Sequence, residues 1–561
     1  MSPPLSARLL RRLAPGHRVP TTGLHGAARG YVLAQLLGKG GKVACITADD
    51  DAAEGLAQDL AFFLGGRGAP TEPRVMYLPE DEVLPWDALA PRPSLVAERM
   101  GVLFHLVRGQ GRAVVMSART AARRVLSPRV LATLSDSVKV GEERDRDALA
   151  RRLAELGYLS SPLVEDVGTF SVRGDLVDIF SPLYEQPVRL EFFGDTVESL
   201  RSFDPETQRT VGPLKTLLLA PARELLLNDA TRRAAEACLR ALGEAQDVPT
   251  LKLRERIQQL KEGLAVEGLG PLLPGLFDGG LGTVVDHLRA WGGGTLPLLF
   301  LDDPAGQERV LEAFEVEVER AHREYTQRGD LSLPVAAHVV PPAELQRLLA
   351  PFPSFEGGGL SFSDSADAPE AAGFGSTKAL REAILGHHGE EGALTPLLER
   401  LAAWREQQLA VAVACGSAGQ ADRLKRLLAE RDVAVKVHKG ALAETASLFD
   451  PKVAAHLYAG EASEGFVDEA GRFALLADTD IFGVRARRKA KVRKSDNPFL
   501  SAFKDLEPGH LVVHKDFGIA RYAGLTKMDV GGVPADFLVL EYAGRDKVYL
   551  PVSRMRLLQK F

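Results

Sequence analysis

A glycine-bearing stretch near the start of the chain has a spacing that points to phosphate chemistry. Residues 23–30 read GLHGAARG and open a predicted helix, and backbone N–H groups at a helix start can hold an anion. A working phosphate loop has the form GxxxxGK[ST], because its lysine reaches the phosphates and its hydroxyl holds magnesium. No Lys-Ser or Lys-Thr follows the last glycine here. The pattern favours a tight turn without nucleotide, with Gly23, Gly26 and Gly30 as a degenerate nucleotide loop.

A pair of acids is the second candidate. The apolar run LPLLFL, 296–301, predicts a strand that ends in Asp302 and Asp303, where nucleotide enzymes place a magnesium ligand. Without the lysine, a helix cap and a remnant of such a site are favoured. A nucleotidase or helicase that uses these acids with the glycine loop is the enzymatic alternative.

A basic run, RARRKAKVRK at 485–494, is the third candidate. It is able to contact nucleic-acid phosphate, although a solvated linker is the commoner explanation for a block of like charge. Both readings stay open, so DNA is retained as an alternative partner of this basic linker.

Composition limits the class of protein. A chain of 561 residues predicts several domains, and 45% hydrophobic with 26% charged residues is ordinary for a globular protein. The net charge of -6 predicts no global attraction to DNA or membrane. Three cysteines far apart indicate neither a disulfide framework nor a metal site, and no apolar run is long enough to span a bilayer. A cytoplasmic protein without a bound metal is expected.

Predicted strands and helices alternate along the part of the chain that contains the glycine loop and the two acids. Apolar strands are predicted at Val43–Thr47, 113–116 and 296–301, with amphipathic helices between them, which indicates a parallel α/β sheet. A Gly-, Ser- and Pro-rich stretch at 351–379 predicts a linker or long surface loop. Beyond it, 395–477 predicts a further small α/β domain.

Residues 168–210 change period and read as two antiparallel hairpins. Gly194-Asp195 supplies a two-residue turn, so Phe193 should lie opposite Thr196 and Phe192 opposite Val197. This register puts Arg189, Glu191, Phe193 and Glu198 on one polar face. A large ring on that face indicates either an ordinary solvated face with one stray phenylalanine or a docking surface.

The last segment also reads as strands. Leu511–His514, 518–522, 537–542 and 547–550 are short strands separated by Gly, Asp and Pro turns, which predicts a small twisted barrel. Leu525, Met528 and Val530 are apolar residues of a hairpin that closes at 531–532, and we nominate them as its contact edge.

The motifs FSVRGDLVDIF, PVRLEFFGD and ESLRSFDPETQRT within 168–210 resemble the second domain of the bacterial transcription-repair coupling factor family, which that family shares with the excision-repair protein UvrB. The resemblance implies that this domain binds UvrA. The family residues that carry the binding match Arg173, Arg189 and Phe193.

VHKDFGIARYAGL and VYLPVSRM near the end resemble the RNA polymerase-interacting domain of the same family, shared with CarD-type regulators. The resemblance implies binding to the polymerase β subunit. It further implies that the first domain is helicase-like without an ATP site, whereas the full-length family uses ATP and magnesium in a DNA translocase motor. No GxxxxGK[ST] occurs in this sequence, so we expect no cofactor and no ATP hydrolysis here.

The expected fold is multidomain α/β, with a degenerate helicase-like parallel-sheet domain, an inserted antiparallel hairpin domain, a further small α/β domain and a C-terminal CarD/Tudor-like β-barrel. The expected function is that of the N-terminal adaptor part of a transcription-repair coupling factor. A CarD-like regulator without a repair role is the second alternative. The predicted parts are 1–135 with 221–348 (helicase-like), 136–220 (the hairpin module), 349–484 (third domain with linker), 485–505 (basic linker) and 506–561 (polymerase-interacting domain).

Overall fold

The computed structural model describes most of the chain and divides it into two compact units. The first unit contains 1–82, 102–130 and 279–487, and the second contains 83–101, 131–278 and 488–561. The described residues are 3–38, 40–69, 71–87, 91–226, 228–245, 253–254, 257–258, 260, 269–358, 368–386, 394–439, 442, 449–450, 452–483, 509–514, 518–530, 533–542, 547–551 and 558–560.

The first unit contains a six-stranded parallel sheet. Its strands, in spatial order, are Arg18–Val19, Ser354–Gly357, Leu298–Asp302, Val43–Thr47, Ala113–Ser117 and Val75–Leu78. The strands Leu298–Asp302, Val43–Thr47 and Ala113–Ser117 are apolar at every position except the last because both faces of the sheet are covered. The predicted parallel α/β sheet is therefore confirmed. Helices of this part are Leu5–Arg12, Ala28–Leu37, Asp50–Leu64, Ala118–Ala122, Pro128–Thr133 (which begins here), Val284–Gly292, Pro304–Gln327 and Pro342–Leu349, and Pro93–Val107 has residues in both units.

The expected linker at 351–379 is wrong in part. Ser354–Gly357 is a fully buried strand of the parallel sheet, paired with Leu298–Asp302 on one side and Arg18–Val19 on the other. The sequence pattern did not predict this strand because glycines follow it directly. Phe355 is nevertheless a core residue, and its ring centroid lies 4.8 Å from that of Phe300. This strand lies beyond residue 348, where the sequence placed the end of the first domain.

A second, mixed sheet of the first unit contains the residues predicted as a small α/β domain. Ala410–Cys415 lies in its centre, parallel to both Ala455–Ala459 and Phe473–Ala477. The remaining strands are Phe374–Ser376, Phe466–Asp468 and Val435–His438, and the helices are Lys378–Gly386, Thr395–Glu406, Ala418–Ala429 and Asp478–Phe482.

The second unit contains the hairpin module. Its six-stranded sheet has the order Leu159–Ser160, Thr169–Arg173, Leu176–Ile179, Val188–Phe193, Thr196–Phe203 and Thr210–Leu214, and every neighbouring pair except the first is antiparallel. A separate antiparallel pair joins Asp136–Lys139 to Thr216–Leu219 at the two ends of the module. Helix Arg146–Glu155 is capped by Asp145, and helix Asp229–Ala245 follows the module.

The C-terminal part is a five-stranded antiparallel sheet in the order Lys547–Pro551, Val533–Glu541, Gly518–Val530, Leu511–His514 and Leu558–Lys560. The predicted strands are present, and two are longer than expected. The basic linker at 485–505 and the turn at 531–532 lie outside the described residues.

No described helix is both long enough and apolar enough to cross a bilayer. All three cysteines are free thiols, with Cys45 and Cys415 buried. Within the described ranges, no three His, Cys, Asp or Glu side chains are grouped to hold a metal ion.

Candidate protein-binding face of the hairpin module

The two hairpins have the register that the sequence predicts. Phe193 pairs with Thr196 and Phe192 with Val197 across the turn at Gly194. Gly174 and Gly194 open the two turns with φ of 57° and 59°, which glycine adopts without steric cost. The register departs from the expected one at a single place: Glu198 is the extra residue of a β-bulge, so Ser199, not Glu198, pairs with Glu191.

The alternation of the strands separates a core face from a polar face. Phe170, Leu190 and Phe192 point into a buried apolar cluster beneath the sheet. Their neighbours point the other way, as expected for a period of two. We call the opposite surface the polar face; it carries Ser171, Arg173, Asp178, Arg189, Glu191, Phe193, Arg201 and Phe203.

Backbone hydrogen bonds hold both hairpin tips. Residues 141–144 lie against the tip that carries Phe193, where Gly141 N and Arg144 N donate to Val197 O at 2.8 Å and Asp195 O at 2.6 Å. Phe192 N donates to Asp175 O at 2.8 Å, so the two tips are joined to each other. The Arg146 guanidinium also donates to Gly174 O. The polar face is therefore supported at its outer end, where loops would otherwise move.

Asp178 lies at the centre of the polar face and is only 1% exposed. Arg189 donates to it from Nε at 2.7 Å and from Nη2 at 2.8 Å, a bidentate pair. Arg173 donates to the same carboxylate from Nη2 at 2.5 Å. Two of the three residues expected to bind UvrA therefore share one buried acid. Hydrogen bonding to Asp178 also raises the pKa of the Arg189 guanidinium above its ordinary value.

An aromatic ring supports Arg189 from below. The guanidinium lies over the Phe203 ring, 4.6 Å from its centroid, a stacked arrangement that favours arginine over lysine. Phe203 is fully buried in a small cluster with Val164 and Phe180. Gln208 adds a longer contact to Arg189 Nη2 at 3.5 Å. The orientation of Arg189 is thus fixed by an acid, a ring and an amide.

Phe193 has the opposite environment. It is 79% exposed, although Phe192 beside it is 5% exposed. The large apolar side chain contributes nothing to the core, so its exposure at a supported tip is typical of a contact residue. The structure thus brings Arg173 and Arg189 together and places Phe193 two strand positions beyond Glu191 on the same face.

Sequence reasoning missed Asp178, Phe203 and Gln208. Asp178 had a detectable signal, because it interrupts LVDIF at the polar position of the strand. Its pairing with two arginines from other strands depends on register, which is outside local sequence.

The glycine loop of the first unit is closed by protein groups. Gly23 and Gly26 have φ of 73° and 52°, whereas Gly30 lies in helix Ala28–Leu37. A Cβ at Gly30 would lie 2.8 Å from Asp59 Cβ, so this glycine permits close packing of two helices. Arg29 Nη1 donates to the Asp302 carboxylate. Burial raises the pKa of Asp302, and Arg29 partly offsets that rise.

A connection between two strands of the second sheet, Ala455–Ala459 and Phe466–Asp468, covers the start of the same helix. Ala27 N donates to Glu464 O at 3.4 Å, and a Cβ at Gly26 would lie 3.0 Å from Glu464 Cβ. Ser463 is held beside it by N and Oγ bonds to the buried Asp59, both at 2.7 Å. Asp303 caps helix Pro304–Gln327 through Gly306 N, which confirms the helix-cap reading. The Ala27 N–H at the start of this helix therefore already has a protein acceptor.

The three residues nominated in the C-terminal hairpin do not share one face. Leu525 is 59% exposed and pairs with Leu538, whereas Met528 is 39% exposed and pairs with Ala535. An odd separation of three residues in a regularly paired strand puts their side chains on opposite faces. Val530 pairs with Val533 at the end of the strand, and its side chain is not described.

Comparison with known proteins links both β regions to described families. Residues 137–225 match the UvrB interaction domain, and residues 506–561 match the CarD-like/TRCF RID domain. The chain is 54% identical to the transcription-repair-coupling factor of Myxococcus xanthus over 99% of this chain and 46% of that protein. It is 28% identical to the Escherichia coli protein of the same name, over 96% of this chain and 44% of that protein.

The transcription-repair-coupling factor of Bacillus subtilis is 25% identical over 96% of this chain and 44% of its own length. The chain therefore spans a little under half the length of these curated relatives. Its two β regions match a UvrB interaction domain and a CarD-like/TRCF RID domain, and the chain resembles the N-terminal part of the transcription-repair-coupling factors.

Proposed function

We propose that this chain is the adaptor part of a transcription-coupled nucleotide excision repair factor, which binds UvrA through the polar face and the RNA polymerase β subunit through its C-terminal sheet. The observation that carries the proposal is the combination of Arg173, Arg189 and the exposed Phe193 on one supported face of a UvrB interaction domain. Both proposed partners work on the bacterial chromosome, so we place its action in the cytoplasm.

The chemistry of the polar face suits a protein partner. Arg189 and Arg173 use some of their N–H groups on Asp178, while Arg189 Nη1 and Arg173 Nη1 make no hydrogen bond to any described residue. Guanidinium groups held in a fixed plane bind carboxylates through paired hydrogen bonds. Phe193 supplies the apolar anchor that concentrates binding energy. Because the groups are held before binding, little entropy is lost on association.

The first test is a binding measurement with purified UvrA. We expect Arg189→Ala to weaken binding by about 2 kcal/mol or more, because arginine anchors at interface centres have effects of this size. Arg240→Ala is the matched control, since Arg240 is an exposed arginine of the same unit whose ion pair among the described residues is with Glu236. Unchanged affinity of Arg189→Ala would contradict the assignment.

Polymerase binding is assigned to the C-terminal sheet from its family match. We propose that the sheet closes as a CarD/Tudor-like barrel and that Leu525, Met528 and Val530 mark its contact edge. Met528→Arg should abolish binding to the β subunit and leave UvrA binding unchanged. Ile519→Arg is the matched control, since Ile519 is a 52% exposed apolar residue near the other end of the same strand.

A CarD-like regulator without a repair role is the alternative that the second family match favours. It predicts polymerase binding without UvrA binding. The UvrA measurement therefore separates the two functions, whereas a polymerase measurement alone does not.

We also propose that the first parallel sheet derives from a helicase-like nucleotide domain that no longer binds ATP. The Arg29–Asp302 pair and the cover provided by Glu464 support this. In this reading the hairpin module is an insertion at about 136–220, and any ATP and magnesium belong to a motor of the full-length family. Micromolar binding of a fluorescent ATP analogue to this chain would contradict it.

A further inference from the structure

The polar face contains one fully buried charge, Asp178, between two half-exposed arginines. The side chains of Arg173 and Arg189 are 46% and 23% exposed, whereas that of Asp178 is 1% exposed. A buried carboxylate is costly unless it is paired and hydrogen-bonded. Here both carboxylate oxygens accept hydrogen bonds. Oδ1 accepts from Nε of Arg189, and Oδ2 accepts from Nη2 of Arg189 and from Nη2 of Arg173. The two arginines therefore give each oxygen of Asp178 a hydrogen bond, and each arginine keeps N–H groups that make no hydrogen bond to a described residue.

We propose that Asp178 is a positioning residue for partner binding: it holds the Arg173 and Arg189 guanidinium groups in a fixed arrangement that presents their remaining N–H donors to carboxylates of the partner. This inference rests on the proposed function, because it concerns the same face. Asp178 itself does not touch the partner. It acts by restricting two long side chains that would otherwise have several rotamers.

The charges of the cluster define the partner surface. Two guanidinium groups and one carboxylate give a net charge of about +1, and the neighbouring Glu191 is engaged by Arg201 at 2.6 Å and by Ser199 Oγ at 2.6 Å. The donors that face solvent are therefore cationic. The complementary surface carries at least one carboxylate opposite the arginines and an apolar depression that receives Phe193.

Loss of the Asp178 charge should separate association from dissociation. Asp178→Asn raises the net charge of the cluster to about +2, which favours electrostatic steering towards an acidic partner. The same change releases both arginines, so the complex forms with disordered donors and dissociates sooner. A role of Asp178 in folding alone would reduce the fraction of active protein without changing either rate constant.

The experiment is surface plasmon resonance of the full chain on immobilised UvrA at low and at physiological salt. We expect Asp178→Asn to increase the dissociation rate constant at least about tenfold and to leave the association rate constant unchanged or higher. In an Arg173→Ala/Arg189→Ala background, Asp178→Asn should not change either rate constant further, because Asp178 acts on binding only through these arginines.

Glu370→Gln provides a matched control. Glu370 is likewise a carboxylate shared by two arginines, Arg8 and Arg12, at 2.6 and 2.9 Å, but it lies in the first unit. This substitution should leave both rate constants at their wild-type values. If removal of any carboxylate shared by two arginines affected binding, Glu370→Gln would also change the rate constants.

The outcomes separate the inference from the proposed function. Absence of wild-type binding to UvrA overturns the proposed function and the inference with it. Wild-type binding with an unchanged dissociation rate constant in Asp178→Asn overturns the inference alone. If Asp178→Asn fails to fold by circular dichroism, Asp178→Glu replaces it, because it keeps the charge and displaces the arginines by one methylene. Dissociation of Asp178→Glu at the wild-type rate would then overturn the inference.

Discussion

Two Arg–Asp clusters of this protein occur where the sequence points to a binding site, and they differ in what they leave unsatisfied. On the polar face, Asp178 holds Arg173 and Arg189, whose side chains are 46% and 23% exposed on the face that also carries the exposed Phe193. At the glycine loop, Arg29 and Asp302 pair with side chains 19% and 8% exposed, and Glu464 covers the adjoining helix start. The first cluster still has donors for a partner, whereas the second has its charges matched internally.

An ion pair alone therefore does not identify a binding site. A buried pair with both members enclosed contributes to one specific packing of the fold. A cluster of one buried acid and two partly exposed arginines keeps binding capacity. Stability and binding therefore have to be measured separately at the two clusters.

The largest effect is expected at the closed cluster. Arg29→Met leaves the Asp302 carboxylate buried without its cation, which should lower the free energy of unfolding by about 3–5 kcal/mol, measured by urea denaturation of the first unit's transition. Arg29→Met/Asp302→Leu should recover most of the loss, because it removes the stranded charge. UvrA binding should be unchanged in both variants. A loss of UvrA binding would contradict the distinction between a structural cluster at Arg29 and a binding cluster at Asp178.

The pH dependence of that variant has a defined sign. Burial raises the folded-state pKa of Asp302 above its unfolded value, so the folded protein binds more protons and stability falls as pH rises between the two values. Removal of Arg29 widens this interval. The destabilisation of Arg29→Met should therefore be smallest near pH 4 and largest at pH 7, and a constant difference across this range would contradict the explanation.

Phe193 gives the second largest effect, and it should affect binding alone. Phe193→Ala should weaken UvrA binding by about 2 kcal/mol, as for an aromatic anchor, and change the unfolding free energy by less than about 0.5 kcal/mol because the ring is 79% exposed. Val211→Ala is the control, since Val211 is a 59% exposed apolar residue of the same sheet. Equal affinity of both variants would remove Phe193 from the interface.

Substitution of Gly30 tests whether this glycine of the loop is needed for close packing of two helices. Gly30→Ala places a methyl group against Asp59 and should destabilise by about 1–3 kcal/mol. Gly55→Ala, in helix Asp50–Leu64 with open space around it, should instead stabilise by up to about 1 kcal/mol. Both are measured by thermal unfolding; a neutral Gly30→Ala would mean that the two helices are free to separate.

Leu525 should show the smallest effect. Leu525→Ser changes an exposed residue, so we expect about 1 kcal/mol weaker polymerase binding with little change in stability. Its cross-strand partner Leu538 is 3% exposed, so Leu538→Ser should destabilise the sheet instead. If Leu525→Ser binds the β subunit normally, the contact edge lies on the face of Met528.

Much of the fold was readable from the sequence because its signals are local. Alternation predicted the two hairpins and the pairing of Phe193 with Thr196, and apolar runs predicted the parallel strands at Val43–Thr47 and Leu298–Asp302. The same patterns failed where the signal was short or mixed. Ser354–Gly357 has glycine and glutamate among its four residues, so its burial was hidden.

From the sequence alone it follows that Arg189, Glu191 and Phe193 lie on one face of the hairpins and that the glycine loop lacks the lysine of a working site. The contacts of these residues depend on the tertiary structure. Asp178 meets Arg189 through the pairing of separate strands, and Ser463 meets Asp59 across 404 positions of the chain. The physical reason is that periodicity fixes the direction of a side chain locally, whereas the partner of a buried charge is chosen by the packing of distant segments, which desolvates that charge and must compensate it.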